Sequence, residues 1–161
     1  MRTVKITLII LLTAFYLYTS YICHIKVTAV TYQLMHANIF HLLCNCWCIY
    51  SALNDRLINR YLIIPVIFVS GILSYIAISP ATTTIGFSGA LLAMTGINIA
   101  QFPTRRNWIM MSALFGIWFF IPVMSFGVHF VSFITGLCAG YSIILFKHYD
   151  RGRNITGKRR T

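Results

Sequence analysis

Six long apolar runs, joined by short polar linkers, constrain this 161-residue chain more than any other feature. The runs cover roughly residues 4–23, 35–53, 61–78, 87–102, 108–125 and 127–146. Because about 20 apolar residues cross a bilayer as a helix, the pattern predicts six membrane-spanning helices in one bundle. Charged residues make up only 9% of the chain, far below the ~25% of a typical globular protein. We therefore expect an all-α membrane protein, with a membrane core over residues 1–146 and a basic cytoplasmic tail over residues 147–161.

The distribution of basic residues predicts the orientation of this bundle. If the N-terminus lies in the cytoplasm, every lysine and arginine except Lys26 falls on the cytoplasmic side. Positive charge concentrates in the cytoplasmic loops of membrane proteins, so we expect a multi-pass protein with both termini in the cytoplasm. The net charge of +11 is then explained by topology and by contact with anionic lipid. We expect membrane lipid as a partner and no nucleic acid.

The acidic residues are Asp55 and Asp150, and the chain contains no glutamate. This composition excludes paired-carboxylate catalysis, an HExxH zinc site and a carboxylate-lined cation pathway. It also argues against a small transporter, because intramembrane carboxylates and a basic substrate clamp are missing. The chemistry is left to histidine, serine, asparagine, cysteine and the backbone.

A metal site is one interpretation of Cys44, Cys46 and Cys48, which lie near His36 and His41 in the sequence. On a helix, however, Cys44 and Cys48 share a face while Cys46 points nearly opposite. Tetrahedral zinc needs ligands that converge on one point. We therefore expect these cysteines to be small, buried apolar side chains, and we expect neither a metal nor a cofactor.

Polar side chains are rare within the apolar runs. Each is costly to place in lipid, so each is a candidate for function. The second run contains His36, His41 and Asn45, and the last two are four residues apart on one helix face. The fourth run begins next to Ser88, and the sixth begins next to His129.

The depth of these residues in the bilayer predicts that they meet. From Ser88 to the next basic linker the chain makes only ~24 Å of helix, less than the ~30 Å hydrocarbon core. Ser88 therefore lies below the outer surface, and the loop before it, residues 80–85, must dip inward. His41 lies about six residues into the second run, or ~9 Å down. We expect Ser88, His129, His41 and Asn45 to converge.

Small residues form a stripe on the fourth run and another on the sixth. The stripes are Gly89, Ala93, Gly96 and Ala100 on the fourth run, and Ser132, Gly136 and Gly140 on the sixth. Such stripes let two backbones approach closely, and a direct Ser–His hydrogen bond needs that closeness. The alternative interpretation is that the stripes serve helix packing only.

A serine at a helix N-terminus beside a histidine fits nucleophilic catalysis. The free N–H groups and the positive end of the helix can stabilise a developing oxyanion. His129 can take the proton of Ser88 and later give it to a leaving amine. His41 and Asn45 carry N–H donors of the type used in oxyanion holes. Because both aspartates fall in the cytoplasm, a Ser–His dyad is the only serine-hydrolase design that this chain allows.

Three motifs, in order on the second, fourth and sixth runs, resemble those of the rhomboid intramembrane serine proteases. The motifs are His36-x4-His41-x3-Asn45, Gly86-x-Ser88-Gly89 and His129-x6-Gly136-x3-Gly140. The resemblance covers nearly the whole chain and implies a rhomboid-like bundle of six transmembrane helices. It also implies a minimal bacterial type, located in the inner (plasma) membrane.

The resemblance implies a role for each motif residue. Ser88 corresponds to the nucleophile and His129 to the general base, while His41, Asn45 and the Ser88 amide correspond to the oxyanion hole. The supporting positions are His36, Gly86, Gly89, Gly136 and Gly140. The substrates implied are membrane proteins that are cut in or near a transmembrane segment.

Two positions depart from the family pattern. Leu92 stands where members commonly have a tyrosine that packs on the catalytic histidine, and Ser132 stands where a glycine is usual. The first external loop, residues 24–34, is short and lacks the family's Trp-Arg pair. The dyad itself, Ser88 and His129, is retained.

Two alternatives remain open from the sequence. The first is a non-catalytic rhomboid-like protein that binds transmembrane segments in a chaperone or quality-control role. Such proteins usually lose the serine or the histidine, so retention of both favours the protease. The second concerns the aromatic residues of the fifth run, which serve either as lipid-facing bulk or as a side gate for substrate. They are Trp108, Phe115, Trp118, Phe119 and Phe120.

Overall fold

The computed structural model describes residues 2–22, 28, 31–52, 60–77, 86–120 and 126–157. Within these residues the chain forms six α-helices, one short 3-10 helix and no strand, which confirms the all-α prediction. The α-helices are α1 (Arg2–Tyr21), α2 (Ile39–Ala52), α3 (Arg60–Ala77), α4 (Ser88–Gln101), α5 (Arg105–Phe120) and α6 (Phe126–Gly157). The 3-10 helix, Thr31–Gln33, precedes α2. Each α-helix overlaps one of the six apolar runs.

The helices differ in how well they could cross a membrane. Within the described ranges, two segments, Arg2–Tyr21 and Phe126–Tyr149, are long and apolar enough to do so by length and composition. Ile39–Tyr50 and Ile64–Ile76 are shorter apolar helices. Helix α4 has 14 residues, and at ~1.5 Å per residue it is shorter than the ~30 Å hydrocarbon core.

Large apolar side chains cover much of the outside of the bundle. Phe40 is 75% exposed, Trp47 71%, Ile76 73% and Phe120 82%. A soluble monomer rarely presents extended apolar surface to water. This outer surface is the kind that lipid chains solvate.

Helix α4 lies at the centre of the bundle. Most of its residues are buried, and they are small or aliphatic. Its Met94 and Ile97 share an apolar core with Leu12 of α1, Leu42 of α2 and Val66 of α3. Helix α6 packs along α4 more extensively than any other helix does. A helix this short is therefore enclosed by protein instead of lipid.

Glycines set the distance between α4 and α6. A Cβ atom on Gly136 would overlap the backbone of Ala93, and one on Gly96 would overlap the backbone of Phe133. A Cβ on Gly140 would lie 2.6 Å from the Ala100 Cβ and 3.0 Å from the Ile97 backbone on α4. The two stripes of small residues therefore face each other, and the two backbones are in direct contact.

Helix α2 begins later than the apolar run does. The run starts at residue 35, whereas the helix starts at Ile39, so the expectation that His36 lies within a helical span is wrong. Asn38 explains the difference, because its Oδ1 accepts a hydrogen bond of 2.9 Å from the His41 backbone N–H. Asparagine in this position is a favourable helix N-cap.

The expectation that Cys44, Cys46 and Cys48 are buried is also wrong. Cys44, Cys48 and Cys138 are exposed, and Cys46 is half-buried. A thiol is apolar enough to face lipid, so burial against protein is not required. Cys44 and Cys48 do share the outer face of α2, as their spacing predicts.

Two further expectations concern the ends of segments. Helix α6 runs without a break through residue 146 to Gly157, so the basic segment 147–161 begins as a continuation of this helix. The inward dip expected for residues 80–85 lies outside the described residues, as do most of the first external loop and the last residues of the basic segment.

Candidate active site

The side chains of Ser88 and His129 meet where α4 and α6 begin. Ser88 is the first residue of α4, and His129 lies in the first turn of α6. The distance from Ser88 Oγ to His129 Nε2 is 2.8 Å, and 41 positions separate the two residues in the chain. His129 is buried and Ser88 is half-buried. When Nε2 carries no proton, the serine hydroxyl donates to it, which is the geometry for proton transfer from a nucleophile.

A glycine beside the serine makes this meeting possible. A Cβ on Gly89 would lie 3.0 Å from Ser132 Oγ and 3.3 Å from Val128 Cγ1 on α6. Contacts this short are tighter than most real Cβ contacts. The absence of a side chain at Gly89 therefore lets the start of α4 approach the first turn of α6.

His41 and Asn45 approach the backbone just before the serine. Gly86 has φ +128°, a conformation that other L-residues rarely adopt. A Cβ there would lie 2.5 Å from His41 Cε1, 2.7 Å from His41 Nε2 and 3.6 Å from Asn45 Nδ2. The Gly86 N–H donates a 2.8 Å hydrogen bond to the Tyr32 carbonyl, which holds the segment in place. Gly86 is thus required both by its backbone angle and by its neighbours.

This corner contains hydrogen-bond donors without partners. Asn45 is 4% exposed, and its Nδ2 has no hydrogen-bond partner among the described residues. Phe87 precedes α4 without a side-chain cap, and the first N–H groups of an α-helix have no acceptor within the helix. Donors arranged in this way can stabilise negative charge on an oxygen atom placed between them.

His36 lies behind His41, outside the helix. Its ring packs edge-on against the His41 ring with 5.2 Å between centroids. Its Nδ1 lies 3.0 Å from the Leu34 carbonyl oxygen, so Nδ1 donates to that oxygen. His36 is buried, and its ring contact is with His41.

The remaining glycines of the motifs lie away from the two reacting groups. Gly136 and Gly140 follow His129 by roughly two and three helical turns, and both contact the α4 backbone. They hold the helices together without reaching Ser88. Among the described residues there is no group of three or more His, Cys, Asp or Glu side chains that could hold a metal ion.

The two positions that depart from the family pattern have separate surroundings. Leu92 is buried in an apolar cluster with Ile99, Met111 and Phe133. Ser132 is buried beside a serine of α3, and the distance from Ser132 Oγ to Ser74 Oγ is 2.7 Å. Leu92 thus takes part in apolar packing, whereas Ser132 takes part in a polar contact.

The sequence did not predict the buried polar contacts between α3 and the 3-10 helix that precedes α2. Tyr32 donates a 3.2 Å hydrogen bond to the Gly71 carbonyl, and Gln33 Nε2 donates one of 3.1 Å to the Ile67 carbonyl. Burial raises the pKa of Tyr32 to about 12, against a smaller opposing effect of its hydrogen bond with Ser74. The available signal was the pair Ser70 and Ser74, four residues apart on one face of an apolar run.

Comparison with known proteins supports the resemblance read from the motifs. The model of the Rhomboid domain family matches residues 25–149, which is most of the chain and covers α2 to α5 and most of α6. No individual curated protein matches the chain significantly. Members of this family are typically serine proteases that act within the membrane. The extent of the match shows that the chain belongs to the rhomboid family and is an integral membrane protein.

Proposed function

We propose that this protein is an intramembrane serine endopeptidase. It hydrolyses peptide bonds in or near the transmembrane segments of membrane proteins, with Ser88 as nucleophile and His129 as general base. The observation that carries the proposal is the 2.8 Å contact between Ser88 Oγ and His129 Nε2. The family match supports it, because rhomboid proteins typically act on membrane proteins.

The first half of the reaction forms an acyl-enzyme. Ser88 Oγ attacks the carbonyl carbon of the scissile bond while His129 Nε2 takes the hydroxyl proton. His129 then gives this proton to the departing amine, the C–N bond breaks, and an ester remains on Ser88. In the second half, His129 takes a proton from water, the hydroxide attacks the ester, and the proton returns to Ser88 Oγ.

The oxyanion is the species that the surrounding donors stabilise. Negative charge develops on the former carbonyl oxygen in both tetrahedral intermediates. We assign its stabilisation to Asn45 Nδ2, His41 Nε2 and the Ser88 amide. The unpartnered Asn45 amide supports this assignment, since a buried donor without a partner is costly unless a ligand uses it. Removal of one such donor typically lowers kcat by ~10²–10³.

The proposed topology places the dyad on the outer side of the membrane. We propose six spans, with both termini in the cytoplasm of a bacterium and the protein in its inner membrane. Residues 1–146 form the membrane core, and residues 147–161 form a basic segment that contacts anionic lipid. Ser88 and His129 then both lie near the outer ends of their helices. The proposed reaction needs no cofactor and no metal.

The experiment uses the full chain in detergent or liposomes. Wild type, Ser88→Ala and His129→Ala are treated with a fluorophosphonate probe and then incubated with a single-span model substrate. We expect labelling and cleavage by wild type, and loss of both in each variant. Ser142→Ala is the matched control, because this exposed α6 serine donates to the Cys138 carbonyl of its own helix. It should label and cleave like wild type.

Two results would contradict the proposal. Cleavage by either dyad variant at the wild-type rate would remove that residue from the mechanism. A folded wild-type protein that neither labels nor cleaves, yet retains the substrate helix in a pull-down, would instead indicate the non-catalytic binding protein.

A further inference from the structure

Two buried hydroxyl groups from different helices meet beside the candidate base. Ser74 of α3 and Ser132 of α6 are both fully buried, and their Oγ atoms are 2.7 Å apart. Ser132 follows His129 by three positions, so it lies about one helical turn further along the same face of α6. The contact is therefore close to His129 without including it.

Ser74 also reaches the residue just before His129. Its Oγ lies 3.4 Å from the Val128 carbonyl oxygen. A hydroxyl donates one proton and accepts at two lone pairs. Ser132 can donate to Ser74 Oγ, and the one proton of Ser74 then lies between the Val128 carbonyl and the Tyr32 hydroxyl oxygen. In this arrangement α3 binds α6 at two points that bracket His129 in the chain.

The same pair lies next to the start of α4. Ser132 Oγ is 3.0 Å from the position that a Cβ on Gly89 would occupy, and Gly89 directly follows Ser88. The pair thus lies where α3, α4 and α6 come together. Lipid tails are as apolar as the helices, so burial of apolar side chains between helices supplies no hydrophobic driving force in a membrane. A hydrogen bond between helices has a preferred direction and opposes helix rotation.

We propose that Ser74 and Ser132 form a hydroxyl clasp that holds His129 at hydrogen-bonding distance from Ser88. The two serines are positioning residues, because the contacts that carry the proposal join Ser74 to Ser132 and to the Val128 carbonyl. The proposal rests on the proposed function, since it concerns how the proposed general base is aimed. It assigns Ser74 and Ser132 a role that neither the motifs nor the family match contains.

Ser70 supplies a matched control on the same helix. It is fully buried like Ser74 and lies four residues earlier on the same face of α3. Its Oγ donates to the Ile67 carbonyl of its own helix at 3.2 Å. Ser70→Ala therefore removes a buried hydroxyl from α3 without removing a bond between helices.

The test is a double-mutant cycle on the full chain, with kcat, KM and the rate of fluorophosphonate labelling measured for each protein. We expect Ser74→Ala and Ser132→Ala each to lower kcat and the labelling rate about tenfold, with KM unchanged. The double variant should be no slower than the single variants, because each substitution already opens the clasp. Ser70→Ala should keep the wild-type kcat.

A conservative variant separates hydrogen bonding from packing. Ser74→Cys keeps nearly the same shape but donates a weaker hydrogen bond, so its kcat should lie between those of wild type and Ser74→Ala. All assays are run well below the unfolding temperature of each variant. Any loss of stability is thereby kept apart from the change in kcat.

The outcomes distinguish this inference from the proposed function. Active wild type with unchanged kcat in Ser74→Ala and Ser132→Ala would overturn the clasp and leave the dyad intact. Additive losses in the double variant, or an equal loss in Ser70→Ala, would also overturn it. Wild type that neither labels nor cleaves would overturn the proposed function and the clasp with it.

Discussion

Helices α4 and α5 both contact α6, but they do so by different means. Helix α4 presents small residues, most of them buried, and its backbone touches the α6 backbone. Helix α5 contacts α6 through aromatic rings. The Phe115 ring lies 5.9 Å from those of Phe126 and Phe130 and 5.3 Å from that of Phe133, all tilted edge to face.

The side chains of α5 are also more exposed than those of α4. Met111 is the only α5 side chain that is buried among those described. Phe119 and Phe120 are exposed at the C-terminal end of α5, which supports the interpretation that these side chains face lipid. Phe115 is half-buried, and ring contacts of Trp108 with Phe133 and of Phe119 with Phe126 also join α5 to α6. The side chain of Trp118 lies outside the described residues.

The difference between the α4–α6 and α5–α6 contacts shows which of them is the more rigid. Two backbones in contact cannot move closer, and glycine positions there admit no larger side chain. Aromatic rings meet over several favourable geometries and can repack. The interface that brings Ser88 to His129 is thus of the less tolerant type, and α5 is attached by the more tolerant type. Four substitutions test this comparison.

Gly136→Ala should have the largest effect on the fold. The added methyl group would overlap the backbone of Ala93, so α4 and α6 must separate. We expect a loss of about 3 kcal/mol in the free energy of unfolding, together with loss of cleavage. Unfolding in mixed detergent micelles measures the first and a substrate assay the second. If Gly136→Ala were as stable as wild type, the α4–α6 contact would accommodate a methyl group, contrary to this prediction.

Gly86→Ala should reduce activity more than stability. Alanine is strained at φ +128°, and its Cβ would meet the His41 ring. We expect cleavage to fall by at least tenfold because the proposed oxyanion site is disturbed. The bundle should still fold, since Gly86 precedes α4 instead of lying within the α4–α6 contact. A cleavage assay and a thermal unfolding scan measure the two properties. A loss of stability as severe as the loss of cleavage would contradict the prediction.

Phe115→Ala should have a moderate effect. It removes three ring contacts between α5 and α6, for which we expect a loss of about 1–2 kcal/mol. The Ser88–His129 contact does not involve α5, so cleavage should continue. Ile117→Ala is the matched control on the exposed face of α5 and should leave stability unchanged. Complete inactivation by Phe115→Ala would show that α5 takes part in the site.

Gly116→Ala should have the smallest effect. No atom lies within 4 Å of the position that a Cβ would occupy at Gly116. The same substitution that damages α6 at Gly136 should therefore change the free energy of unfolding by only ~0.5 kcal/mol. The micelle unfolding assay measures both glycine variants side by side. A loss at Gly116 equal to that at Gly136 would remove the distinction between the two interfaces.

Much of the fold follows from local sequence properties. The six apolar runs predict the six helices, because long apolar segments in lipid must satisfy their backbone hydrogen bonds internally. Helix boundaries were less predictable. The second run includes His36, yet α2 begins at Ile39 because the Asn38 side chain caps it. Hydropathy does not register such a cap.

The candidate site, too, could be predicted from the sequence only in part. The motif spacings identify Ser88, His129, His41 and Asn45 as residues to examine, because polar groups are costly in apolar segments. Ser74 has no such motif, and a serine in a membrane helix usually bonds to its own backbone, as Ser70 does. Its contact with Ser132 depends on how α3 lies against α6.

The amino-acid sequence by itself determined the helical composition, the family and the residues able to carry the chemistry, because all three depend on residue type and spacing along the chain. Tertiary structure alone decided that Ser88 Oγ lies 2.8 Å from His129 Nε2, and that Ser74 lies against Ser132. These distances join residues far apart in the chain, and they depend on how closely two helix backbones can approach where side chains are absent.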